Sequence, residues 1–222
     1  MTYPTARTLL AVLWLMGCAD QGPIAQGRLA SPPIVAVNVW GGSLTTSSQT
    51  PQVIRQITLH HQGETWPPGT DVARYLQRLQ QWSRLTKRWA DIPYHYVIAS
   101  DGIIYAARDM ALPGDTNTEY EPTGHALVML LGNFEDVQPS SAQLRATVEL
   151  MAWLVQQHRL DVSAIGTHRD FSAQTVCPGK NLYVLLESGW LRHAVASTIA
   201  GLPYAVPLSV TGAVDAQKSH QK

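Results

Sequence analysis

His60 and His61 close an apolar, β-branched run, His168 follows a short apolar segment, and Cys177 stands nine positions further on. Two imidazoles and a thiolate form a ligand set that suits Zn²⁺, and a catalytic zinc site keeps three protein ligands and leaves a fourth position for water. Spacing alone is weak evidence, because histidines near strand ends are common as surface or satisfied core residues. Nor does spacing choose between His60 and His61. Adjacent strand residues point to opposite faces, and a central strand can be buried on both.

The elements that must position these groups alternate along the chain. Val53 to His61 reads as a buried strand. Asp71 to Lys87 carries Val72, Tyr75, Leu76, Leu79, Trp82 and Leu85 at near-helical spacing, with Thr70 or Asp71 as its cap. Two apolar runs, Tyr94 to Ala99 and Ile103 to Ala106, flank Ser100-Asp101-Gly102, an Asp-Gly hairpin signal. A further strand is expected at Ala126 to Leu131. Ser140 with Gln143 forms a capping box for a helix to about His158, whose core stripe is Leu144, Val148, Met151 and Val155. A short segment near Ile165 leads into Gly166-Thr167-His168, and Leu182 to Leu191 reads as a final amphipathic helix. The expected fold class is α/β, a single domain with a mixed β-sheet covered by helices, since a hairpin excludes an all-parallel sheet.

Lys plus Arg and Asp plus Glu both number 16, and 14% of residues are charged, against roughly 25% in an ordinary domain. Nothing in this balance attracts a polyanion, so no nucleic acid partner is expected. Residues 1–18 read as an export signal: Arg7 precedes the apolar run Leu9 to Met16, which is shorter than the roughly 20 residues that span a bilayer. It ends in Leu15-Met16-Gly17-Cys18, which resembles a bacterial lipobox with Cys18 as the lipidated residue. Cys18 and Cys177 are the only cysteines, so lipidation leaves Cys177 unpaired, the alternative being a disulfide between them. Residues 19–33 suit a flexible tether, 34–192 the domain, and 193–222 a C-terminal extension largely disordered at its end.

The segments Ile57-Thr58-Leu59-His60-His61, Trp89-Ala90-Asp91-Ile92-Pro93-Tyr94-His95-Tyr96-Val97-Ile98, Asp101-Gly102-Ile103-Ile104-Tyr105-Ala106-Ala107-Arg108, Gly166-Thr167-His168-Arg169-Asp170 and Thr175-Val176-Cys177-Pro178-Gly179 occur in an order that is informative. Together they resemble the motifs of the peptidoglycan recognition protein and phage-lysozyme-type N-acetylmuramoyl-L-alanine amidase family. Val39-Trp40-Gly41-Gly42 and Leu131-Gly132-Asn133-Phe134 extend the likeness to roughly residues 35 to 190.

The resemblance implies zinc held by His60, His168 and Cys177, with Tyr94 as a donor to the developing oxyanion and Thr175 assisting orientation or oxyanion binding. It implies hydrolysis of the amide between N-acetylmuramic acid and L-alanine in peptidoglycan, by a monomer. The alternative is a lipoprotein that binds peptidoglycan without cutting it, and a structural zinc domain is a third reading. Binding-only members have typically lost the cysteine, which here is present. His168 and Cys177 are one residue further apart than is common in the family, and the surplus is expected to bulge from the loop between them. His125 stands where the family more often has a small hydroxyl residue, so it is a candidate cleft residue. The zinc-bound hydroxide itself, His125 and Glu64 are the candidate proton carriers, with Glu64 reading rather as a solvated loop carboxylate, and Trp66, Pro67 and Pro68 form either a wall of the substrate groove or a packed loop. With no aspartate behind Cys18, attachment to the outer membrane facing the periplasm is expected.

Overall fold

The computed structural model describes residues 27–45 and 50–207. The export signal, Cys18, the start of the tether and the chain end lie outside the described residues. A mixed sheet of six strands runs in the order β1 (Ile34–Val35), β4 (Ile104–Ala106), β3 (Tyr96–Ile98), β5 (His125–Leu130), β2 (Gln56–His61) and β6 (Ile165–Thr167). β3 and β4 are antiparallel and the other pairings are parallel, which is the mixed arrangement that the hairpin demands. At the hairpin Gly102 takes φ 87°, and a Cβ there would come within 2.8 Å of the Ala142 carbonyl oxygen.

Among the described residues five α-helices cover the sheet: α1 (Val72–Leu85), α2 (Ser141–His158), α3 (His168–Phe171), α4 (Lys180–Glu187) and α5 (Trp190–Ile199). Asp71, not Thr70, caps α1 by accepting from the Arg74 N–H at 3.0 Å. Ser140 and Gln143 form the expected capping box of α2. α1 ends two residues short of the expected Lys87. The helix expected over Leu182 to Leu191 is two helices, because Gly189 adopts φ 78° between them.

Alternation along β2 and β5 divides the core in two. Ile57, Leu59, Ala126, Val128 and Leu130 pack with α2, α4 and α5, whereas Val97, Met129 and Leu131 pack with Leu76 of α1 and with Trp40. Trp40 donates its indole N–H to the Ala106 carbonyl at 2.7 Å. Packed chain continues past residue 192. α5 runs through the expected domain boundary, Tyr204 and Val206 rest on the larger core, and the Trp190 indole donates to the Ala205 carbonyl at 2.8 Å. Leu29, placed within the expected tether, also rests on that core, with its N–H bonded to Gln156 at 2.7 Å. No helix among the described residues is long and apolar enough to cross a membrane.

Candidate metal centre

β2 lies between β5 and β6 and is buried along almost its whole length. Its parity therefore sends Thr58 and His60 to the α1 side and Ile57, Leu59 and His61 to the other. His168 follows β6 directly, as the first residue of α3, where Asp170 accepts from both the N–H (2.7 Å) and the hydroxyl (2.8 Å) of Thr167. Cys177 returns from the loop after α3, tied to it by the Arg169 N–H donating to the Cys177 carbonyl at 3.0 Å. In the loop between His168 and Cys177, Ala173, Gln174 and Val176 are exposed.

These three segments bring one ligand atom each of His60, His168 and Cys177 to within 4.8 Å of one another. The Cys177 thiol sits 3.6 Å from Nδ1 of His60. His61 is not in the cluster: its Nδ1 accepts from the Phe134 N–H at 3.3 Å, while its own N–H donates to the Cys177 sulfur at 3.3 Å.

The electrostatics suit a cation. Burial holds the His60 pKa well below its usual value, with the charge of His168 adding to the effect. Burial also lowers His168 to about 4 and pushes the Cys177 thiol up to about 12. Without a cation all three groups are neutral at pH 7, and a divalent ion would stabilise the thiolate and use the imidazole lone pairs. Nε2 of His60 is buried without a hydrogen-bond partner among the described residues. Two imidazoles and a thiol, with no carboxylate among them, form a set that zinc takes.

Tyr94 precedes β3 by two residues rather than opening it, and its ring centroid lies 5.1 Å from that of His60. Burial, followed by the nearby Cys177, raises its pKa, so the phenol keeps its proton. Thr175 accepts from the Cys177 N–H at 3.0 Å and so shapes the loop that presents the sulfur. His125 is buried, with Nδ1 2.8 Å from the Thr58 hydroxyl. Glu64 is exposed and is held by Gln62 at 3.1 Å. Trp66 packs edge-on against Tyr75 at 5.0 Å, while Pro67 and Pro68 are exposed.

Two neighbours of the cluster were not legible in the sequence. The Thr118 hydroxyl lies 2.8 Å from Nε2 of His168, and the Tyr120 ring sits 5.0 Å from that of His168. Both belong to the polar segment Asp115-Thr-Asn-Thr-Glu-Tyr-Glu, which has no periodicity to mark it as anything but a loop.

Residues 49–180 match the family model described as N-acetylmuramoyl-L-alanine amidase. The chain is 32% identical over 186 residues to peptidoglycan-recognition protein SA of Drosophila melanogaster, covering 81% of this chain and 90% of that protein. It is 31% identical over 136 residues to a human N-acetylmuramoyl-L-alanine amidase, covering 59% of this chain and 23% of that protein. The solved Drosophila peptidoglycan recognition protein SA has a TM-score of 0.62 at 29% identity, over 70% of this chain and 91% of that one. The amidase LysC from Clostridium intestinale has the same fold, with a TM-score of 0.59 at 20% identity over 78% of this chain and 100% of that one.

Proposed function

The chain belongs to the N-acetylmuramoyl-L-alanine amidase family, and from that premise we propose that it is a zinc-dependent hydrolase of the amide between N-acetylmuramic acid and L-alanine in peptidoglycan. The observation that carries the reading is the buried cluster of His60, His168 and Cys177. Two imidazoles and a thiol converging with no carboxylate among them are a ligand set that zinc takes.

His60, His168 and Cys177 would hold the ion. When bound, zinc would lower the pKa of a water and polarise the scissile carbonyl. Tyr94, protonated and beside His60, donates a hydrogen bond to the oxygen on which charge develops. Thr175 fixes the loop that presents Cys177. Of the two candidate side-chain proton carriers, His125 is the better placed. Its Nδ1 lies 2.8 Å from the Thr58 hydroxyl on the cluster side of the sheet, whereas Glu64 stands on an exposed loop.

The second reading, recognition of peptidoglycan without cleavage, has in its favour the relatives named for recognition. Metal analysis followed by a cell-wall assay separates the two. The amidase reading expects near one zinc per chain and loss of turbidity in cell-wall suspensions. Stoichiometric zinc without loss of turbidity would contradict it. Membrane attachment through Cys18, on the periplasmic face of the outer membrane, is part of the proposal, and it expects Cys18→Ala to release the protein from the membrane fraction.

A further inference from the structure

Thr118 belongs to the segment between β4 and β5, fifty positions before His168, and its hydroxyl approaches Nε2 of His168 at 2.8 Å. An imidazole nitrogen has one in-plane direction for a hydrogen or a lone pair. Nε2 is spent on Thr118, and only Nδ1 of His168 remains to face His60 and Cys177. We propose that Thr118 is a positioning residue of the metal centre: its hydroxyl accepts the Nε2 hydrogen of His168, fixing the tautomer that leaves the Nδ1 lone pair for the ion. This rests on the zinc reading above and deepens it.

The surroundings hold Thr118 to that task. The Thr116 hydroxyl lies 2.8 Å from that of Thr118 and accepts from the Thr118 N–H at 3.1 Å, which fixes the loop locally. The next residue, Glu119, clasps the far side of the His168 loop. It accepts from the Ser172 hydroxyl at 2.6 Å and from the Ala173 N–H at 3.1 Å. Two neighbouring residues thus dock the same segment on both ends of α3, and the hydroxyl cannot drift from the imidazole without releasing the clasp. Partners of this kind orient a ligating histidine and raise its basicity.

Three proteins test this: wild type, Thr118→Val, which keeps the shape and deletes the acceptor, and Thr118→Ser, which keeps the acceptor and deletes the methyl. Zinc affinity is measured by competition with a chromophoric chelator, and the His168 tautomer by ¹⁵N NMR of the metal-free proteins. The expected result is a loss of about 10- to 100-fold in affinity for Thr118→Val, recovery to near wild type in Thr118→Ser, and a mixed tautomer in the Val variant only. Equal affinities in all three, or a Ser variant as weak as the Val variant, would overturn the assignment while leaving the zinc reading intact. A wild type that takes up no stoichiometric zinc would overturn both.

Discussion

The sulfur of Cys177 lies 3.6 Å from Nδ1 of His60, a residue 117 positions earlier in the chain. The sheet creates this proximity by placing β2 next to β6, and α3 then turns the chain back towards the end of β2. The adjacent His61 meets the same sulfur through its backbone alone, its N–H donating to the sulfur at 3.3 Å and its carbonyl accepting from the thiol at 4.0 Å.

That difference separates two otherwise similar variants. His60→Ala should abolish stoichiometric zinc and activity. His61→Ala should keep most of the zinc, since its imidazole faces Phe134, while losing some activity because the Phe134 N–H beside the site loses its acceptor. Elemental analysis of both purified variants checks this, and zinc lost from the His61 variant alone would shift the register of the whole site.

Tyr94→Phe deletes one hydroxyl beside the cluster and leaves the ring against His60. Zinc content and melting temperature should be retained while turnover falls by about 10²-fold, the scale of losing one oxyanion donor. Steady-state kinetics on a soluble muramoyl peptide would read this, and an unchanged rate would assign the tyrosine to packing.

Tyr120 is only 9% exposed, and its hydroxyl is buried without a partner among the described residues. A buried hydroxyl in that state costs about 1–3 kcal/mol. Tyr120→Phe should therefore leave the metal-free protein as stable as wild type or more stable, by up to that amount. Chemical denaturation measures it. A clear loss of stability would mean that the hydroxyl has a partner, such as an ordered water, that holds the loop.

His95 makes stability depend on pH. It is fully buried, its Nδ1 accepts from the Leu127 N–H at 2.9 Å, and Nε2 lies 2.9 Å from the Leu112 carbonyl, to which it donates. A proton added at Nδ1 would face another donor. Burial holds its pKa at about 4, against an ordinary 6.5. The unfolded chain therefore binds the proton first as pH falls, and stability present above pH 6.5 is lost down to about pH 4, by about 3 kcal/mol in all. NMR of the His95 imidazole should find it neutral at pH 5.5, whereas a midpoint near 6.5 would remove the effect.

Much of this architecture was legible because periodicity and turn chemistry are local. The Ser140–Gln143 box and the Asp101-Gly102 turn each announce themselves within a few residues. The break in the last helix did not, because Leu182, Leu185, Leu186, Trp190 and Leu191 keep the apolar stripe going across Gly189 and only the backbone reverses. Only the family resemblance distinguishes His60 from His61, since alternation on a strand buried on both faces cannot say which face holds the cleft. Thr118 and Tyr120 were invisible for a further reason: a loop residue reaches a site through tertiary placement, which leaves no pattern in the chain.

Mass spectrometry of the products from purified peptidoglycan tests most directly whether the chain cuts the amide between N-acetylmuramic acid and L-alanine. Zinc-loaded protein should release stem peptides that carry a free L-alanine amino terminus and leave glycan strands uncut, and a chelator should stop the release. Stoichiometrically loaded protein that releases no peptide, or that yields fragments cut between sugars, would contradict the account.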